Sequence, residues 1–256
     1  MHKDFVDMNT IAIIQARMSS TRLPGKVMKK LMDKSVLAHV ISRLQMAKTL
    51  DGVVVATTSH QVDDVIAVES QKYGAVVYCG SEEDVLGRYY EAAGECAADV
   101  VVRITSDCPL IDPQLIDQMV QKFFSLPAVD YLSNTLERTY PRGLDVEIFS
   151  RKVLAMACRQ AHKPFEREHV TPYIYQHEDL FQLVSHVDRI NRSNHRWTLD
   201  TPSDWQFVEA VYQHLYQVKE TFTTADVFAL LQRHPEIGKL NEHVCQKNLE
   251  DGHCGL

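Results

Sequence analysis

The chain has 256 residues, a formal net charge of -7 at pH 7, 45% hydrophobic residues and 24% charged residues. That is the composition of an ordinary globular domain, and its acidic balance argues against a general nucleic-acid or anionic-membrane binder. Six cysteines without a CxxC pair or regular spacing argue against a zinc ribbon or disulfide framework. With no secretory h-region and no membrane-length apolar run, the expected compartment is the cytoplasm, without membrane insertion.

In chain order, residues 1–9 read as a polar leader. Residues 11–14 form a short buried strand, followed by a loop through Lys26. Residues 35–48 have helical spacing, with Val36, Val40, Ile41 and Leu44 on one face. Strands at 52–57, 75–79 and 99–104 alternate with helices at 63–73 and 82–98. This alternation predicts an α/β fold whose mostly parallel central sheet is covered on both faces.

Asp112-Pro113 opens a helix to about Phe124, with an N-cap and a proline in the first turn. From Val129 the pattern changes to a small strand-containing insertion. Strands are expected at 129–133 and 144–149 around a turn at 140–143, then helices at 150–160 and 166–176. Strands at 181–187 and 196–199 precede helices at 201–218 and 224–233. The chain is read as one domain over 10–233, halved near residue 125, with terminal segments 1–9 and 234–256. His243, Cys245, His253 and Cys254 read as scattered residues of a tail rather than a metal site.

In open parallel sheets, ligands sit outside the carboxyl ends of the strands. That rim includes the loop after the first strand, the Thr57-Thr58 turn, Gly80 and Ser106-Asp107. The first loop is IAIIQARMSSTRLPGK, residues 11–26. It brings together Arg17, Arg22 and Lys26 with Ser19, Ser20 and Thr21. Cations, hydroxyls and exposed backbone N–H groups can converge on a polyanion such as a nucleoside triphosphate. A solvated basic loop is the alternative. Gly25 permits close backbone approach and Pro24 stiffens the turn. The loop is not GxxxxGK[ST], because Ser20 replaces the first glycine and Val27 follows the lysine.

Two carboxylates end predicted strands. Asp107, in Thr105-Ser106-Asp107-Cys108-Pro109-Leu110-Ile111, reads either as a Mg²⁺ ligand facing phosphates or as an Asx turn before Pro109. Asp200, before Thr201-Pro202-Ser203-Asp204, reads locally as a charge favouring a helix N-terminus, with Thr201 before Pro202 as its N-cap. Asp204 itself reads as a helix-surface residue. Cys108 reads as a packing residue.

These segments resemble the cytidylyltransferases that make CMP-activated acidic sugars. The branch they resemble most is the one named after the spore-coat polysaccharide biosynthesis protein F. The likeness runs from about Thr10 to Val218, with Gln15 where the sugar-acid synthetases usually carry proline. It implies a nucleotide-diphospho-sugar transferase-like (GT-A/Rossmann-like) sheet and a homodimer using CTP and a sugar acceptor. Residues 10–125 become the nucleotide half and 126–220 the acceptor half. The resemblance assigns the nucleotide to Gln15, Ala16, Arg17, Ser19, Ser20, Arg22, Gly25, Lys26, Arg88 and Asp107, with Thr57 and Thr58 added by their place on the rim, and Mg²⁺ to Asp107 and Asp200. Arg17, Lys26 and Asp107 would be catalytic; Arg142, Asp145, Glu147 and His169 would face the acceptor. Arg88 remains readable as a helix-surface arginine, and His169 as a structural or subunit-contact histidine.

The expected reaction is Mg²⁺-dependent transfer of CMP from CTP to a sugar, with release of pyrophosphate. One rival is a glycosyltransferase, faintly echoed by Asp145-Val146-Glu147. The other is a nucleotide-binding subunit without catalysis.

Overall fold

The structure, a computed structural model, describes residues 8–246. Its frame is a seven-stranded sheet. The first half supplies β1 (Thr10–Gln15), β4 (Gly52–Thr58), β5 (Val76–Gly80) and β6 (Val100–Thr105). The second half adds β7 (Tyr131–Ser133), β8 (Glu147–Ser150) and β9 (Leu183–Ser185). The order is β5-β4-β1-β6-β8-β7-β9. All strands run the same way except β8, which is antiparallel to both its neighbours.

Alternation explains why both faces are covered. Ala12 and Ile14 of β1 point into one core with Val53, Val55, Val100 and Val102. This layer is closed by α1 (Val36–Leu44), α4 (Pro113–Ser125) and α8 (Pro202–Leu215). Ile11 and Ile13 point into the other core with Val54, Ala56 and Val101. There α3 (Val85–Glu95) and α5 (Arg151–Gln160) form the cover. Each fully buried isoleucine contributes on the order of 2–3 kcal/mol through removal of apolar surface from water. A strand apolar on both faces can only be central, which is where β1 lies.

Parallel direction puts Gln15, Thr58, Gly80, Thr105 and Ser133 on one rim, and antiparallel β8 starts there at Glu147. α2 (Asp64–Lys72) connects β4 to β5, and α9 (Thr224–Arg233) packs on α8.

The structure adds one element the sequence did not announce and differs from several local expectations. Residues 30–35 form a two-stranded hairpin, β2 (Lys30–Leu31) and β3 (Lys34–Ser35), turned by Met32 at φ 56°. The helix expected over 166–176 is two short helices, α6 (Pro164–His169) and α7 (Pro172–Tyr175). Val170 at φ 72° breaks them before Pro172, whose missing N–H cannot continue a helix. The strand expected from 144 starts only at Glu147. Before it, the Asn134 carboxamide takes the place of a ladder, donating to Leu144 O at 2.7 Å and accepting from Val146 N at 2.9 Å.

Residues 196–199 form no strand and make only a single bridge, Arg142 to Arg196. Their backbone is drawn away to the rim, where Leu199 N donates to Asp107 O at 2.9 Å. Gly143 permits this crossing: at φ +98°, an added Cβ would lie 2.5 Å from the Thr198 nitrogen. The expected terminal segment from 234 packs against the body through α10 (Pro235–Gly238), with Ile237 and Asn241 buried.

Gly143→Ala should therefore destabilise the fold by roughly 2–4 kcal/mol, read by urea denaturation. Gly238→Ala, in open space within α10, should be neutral or stabilise by up to about 1 kcal/mol in the same experiment.

Candidate active site

The loop after β1 is fixed at several points. Leu23 and Val27 are buried, and Gly25, in the left-handed region at φ 64°, donates from its N–H to Met18 O at 3.2 Å. Asp63 ties the loop to the end of β4. It accepts from Met18 N at 2.7 Å and, through its other oxygen, from the Thr58 hydroxyl. The loop's side chains are thereby aimed over the rim rather than left to solvent.

Lys26 stands between the two carboxylates singled out in the sequence. Its Nζ donates to Asp107 Oδ2 at 2.7 Å and to Asp200 Oδ1 at 2.6 Å. The remaining oxygens are held by the protein. Asp107 Oδ1 accepts from the Thr105 hydroxyl at 2.7 Å. Asp200 Oδ2 lies 3.1 Å from Arg22 and 3.1 Å from Arg196. One oxygen of each carboxylate thus faces a single cation position. Burial alone would push the Asp107 carboxyl up, but attraction to the Lys26 ammonium and hydrogen bonds outweigh it and hold Asp107 at about 2. Burial likewise disfavours the charged lysine, and the two aspartates more than offset it, raising Lys26 to about 12.

This triad forms part of a cavity of ≈ 350 Å³. Its lining includes Gln15, Ala16, Arg17, Ser19, Ser20, Arg22, Lys26, Arg88, Asp107 and Asp200, with Glu168 and His169 also on its wall. Arg88 is buried rather than on a helix surface: its Nη1 donates to Ser81 O at 2.5 Å, and its Nε has no protein partner. Arg17 faces Glu82 at 3.5 Å and Glu168 at 3.9 Å, and Ser19 donates to Glu82 at 3.0 Å. These acids occupy the phosphate-type donors of the loop. Burial holds the His169 imidazole below its usual range, and so neutral at pH 7.

Other expected residues lie elsewhere. Thr57 is fully buried and Thr58 spends its hydroxyl on Asp63; neither lines the cavity, because β4 ends behind the loop. Gly25 shapes the loop without lining the cavity. Asp145 is paired with Arg138 at 2.5 Å, and Arg142 uses its backbone on His195 and Trp197, both away from the cavity. Glu147 pairs with Arg103 at 2.7 Å, and Arg103 also donates to Gln15 Oε1 at 3.0 Å. Glu147 thus lies behind the cavity wall, linked to it through Arg103 and Gln15 and by its charge on His169.

Asp204, expected on a helix surface, is 0% exposed. It accepts from Arg196 Nε at 2.9 Å and from the backbone N–H groups of Asp200 and Thr201 at 3.0 and 2.9 Å. It caps α8 and fixes the turn carrying Asp200. Arg196 was not singled out by its sequence context, yet its guanidinium joins both aspartates. Glu82 and Asp63 likewise carried no motif signal. Cys108 is buried and its thiol is pushed well up by that burial, as befits a packing residue.

Two oxygen donors around one cation position suit a hard divalent ion whose other ligands come from phosphates and water. Among the described residues, no group of three or more His, Cys, Asp and Glu is placed to hold a metal. His243 lies 3.3 Å from Ser203 Oγ and Cys245 is exposed; His253 and Cys254 fall outside the described residues. Among the described residues, no helix is long and apolar enough to cross a membrane.

The family model for cytidylyltransferases matches residues 11–228. The chain is 34% identical over 237 residues to spore coat polysaccharide biosynthesis protein SpsF of Bacillus subtilis, covering 90% of this chain and 97% of that protein. It is 30% identical over 228 residues to a 3-deoxy-manno-octulosonate cytidylyltransferase of Solibacter usitatus, covering 80% and 88%. Among solved structures, a cytidylyltransferase from Leptospira borgpetersenii superposes with a TM-score of 0.86 at 33% identity, covering 90% of this chain and 97% of that one. The shared sheet, the matched span and the rim-lining loop lead to one conclusion: the chain belongs to the cytidylyltransferase family, an enzyme family of nucleotidyltransferases of the CMP-sugar kind.

Proposed function

We propose that the enzyme transfers CMP from CTP to a hydroxyl of a sugar used in polysaccharide synthesis, releasing pyrophosphate, with Mg²⁺ as cofactor. The observation that carries this reading is the facing pair of oxygens on Asp107 and Asp200 beside a loop of phosphate-type donors. The relatives named for CMP transfer to 3-deoxy-manno-octulosonate support a sugar acceptor.

The cavity's own groups divide the work. Arg17, Arg22, Lys26 and Arg88 supply positive charge towards a triphosphate, and Ser19 and Ser20 supply short hydroxyl donors. The acceptor oxygen forms its bond to the α-phosphorus as the bond to the β-phosphate oxygen breaks. Its proton leaves to solvent. Charge accumulates on the departing pyrophosphate, and fixed loop cations stabilise that charge more than the ground state. Asp107 and Asp200 would hold Mg²⁺, which when bound supplies charge neutralisation at the phosphates and acidity at the acceptor hydroxyl. Gln15, Glu168 and His169 line the remaining wall and would orient the sugar.

A glycosyltransferase reading is disfavoured by the geometry. Asp145 and Glu147, the faint acidic motif, are committed to different arginines, Arg138 and Arg103.

The decisive assay incubates the enzyme with each nucleoside triphosphate, Mg²⁺ and a panel of sugars, and follows pyrophosphate. Release should require CTP together with one sugar class; turnover of a nucleotide sugar with no triphosphate present would overturn the assignment. Asp107→Asn should lower kcat by about 10²–10³-fold while circular dichroism stays that of the wild type.

The pH dependence gives a separate prediction. The Lys26 ammonium is the largest of the influences that outweigh burial and hold the Asp107 carboxyl down at about 2, with hydrogen bonds from Thr105 and the backbone adding to it. In Lys26→Met the carboxyl should titrate at higher pH, so divalent-cation binding should be lost earlier as pH falls. Calorimetric titration of Mn²⁺ between pH 4 and 8 checks this, and an unmoved acid limb would contradict it.

A further inference from the structure

The matched family span ends at residue 228, yet the chain beyond it returns to the site. Asn241 is 2% exposed, and its Nδ2 donates to Arg196 O at 2.8 Å and to Asp204 Oδ1 at 2.9 Å. Gln246 Oε1 accepts from Arg196 Nη1 at 2.7 Å. Ile237 anchors the segment in the core. Arg196 is thereby held on three sides. Its Nε and Nη2 engage Asp204, its Nη1 engages Gln246, and one Nη2 donor is left for Asp200 Oδ2 at 3.1 Å.

We propose that the segment after α9 belongs to the catalytic apparatus, with Asn241 and Gln246 acting as positioning residues for Asp200. The inference rests on the reading of Asp200 as a cation ligand. Its physical content is a division of the carboxylate. Arg196 and Arg22 occupy Oδ2, which leaves Oδ1 turned towards Asp107 and Lys26. Guanidinium geometry is planar and forked, so its direction is set by whichever acceptors fill the fork. Asn241 locks Asp204, the fork's main acceptor, to the Arg196 backbone; Gln246 fills the far prong. Without them Arg196 can rotate, and Asp200 loses the bond that fixes which oxygen faces the cation. Outer-shell hydrogen bonds of this kind set metal affinity as well as ligand orientation.

The test uses the full chain with Mn²⁺ as a spectroscopic probe. Mn²⁺ binding in the presence of CTP is measured by electron paramagnetic resonance for wild type, Asn241→Ala and Gln246→Ala, alongside kcat and KM. Asn241→Ala should bind Mn²⁺ about tenfold more weakly and lose about tenfold in kcat, with KM for CTP unchanged. Gln246→Ala, at a partly exposed position, should show a smaller loss in the same direction. Folded variants that match the wild type in Mn²⁺ affinity and kcat would overturn the inference. If Asn241→Ala fails to fold, Gln246→Ala decides alone. A wild type that binds Mn²⁺ but makes no sugar product from CTP defeats the functional reading and leaves this comparison intact. A wild type that binds no Mn²⁺ overturns both.

Discussion

One ammonium group shared by two aspartates organises this rim. Lys26 comes from the loop after β1, Asp107 from the turn after β6, and Asp200 from the segment that crosses under Gly143. No two of these are neighbours in sequence, so their meeting is a product of the sheet. Taking such charges partly out of water is costly, and removing one partner from a buried ionic group typically costs about 3–5 kcal/mol. The cluster avoids that cost by balance: Lys26, Arg22 and Arg196 face Asp107, Asp200 and Asp204. On the proposed reading, a charge-balanced cluster of this kind takes up a divalent cation and a triphosphate together, each offsetting the other's charge.

The same economy appears at the loop's outer end, where Arg17 and Ser19 rest on Glu82 and Arg17 also approaches Glu168. Arg17 is 42% exposed, so these outer pairs are screened and weak, and incoming phosphate oxygens can replace them at little cost. The inner cluster is stiffer because Asp204 is fully buried and satisfied by backbone N–H groups, a guanidinium and a carboxamide. On the proposed reading, a stiff inner triad beside a displaceable outer pair spares an incoming triphosphate the cost of building the site.

Much of this was legible in the sequence, for physical reasons that can be named. Ile11 to Ile14, Val53 to Val55 and Val100 to Val102 are apolar on both faces, which only a covered parallel sheet can accommodate. The Asp112-Pro113 and Thr201-Pro202 signals placed two helix starts, both of which carry the expected side-chain caps. The loop's cations and hydroxyls stood out because they follow a buried strand directly. What could not be read depends on contacts across the fold. Asp204 carries a helix-start motif whether it is exposed or buried; only Arg196 and Asn241 reveal it as buried. Residues 196–199 have strand composition, yet Gly143 and the pull of the Asp107 turn divert them from the sheet. Thr57 and Thr58 share the rim by topology, but Asp63 takes the hydroxyl of one and packing covers the other.

The central claim is that the facing oxygens of Asp107 and Asp200 mark a cation position that Lys26 fills when no nucleotide is present. A crystal structure of the enzyme with CTP and Mn²⁺, using the anomalous signal of the metal, tests it most directly. The account predicts manganese between the two carboxylates, with the Lys26 ammonium moved onto a phosphate oxygen. Manganese located elsewhere, with Lys26 still bridging both aspartates, would contradict it.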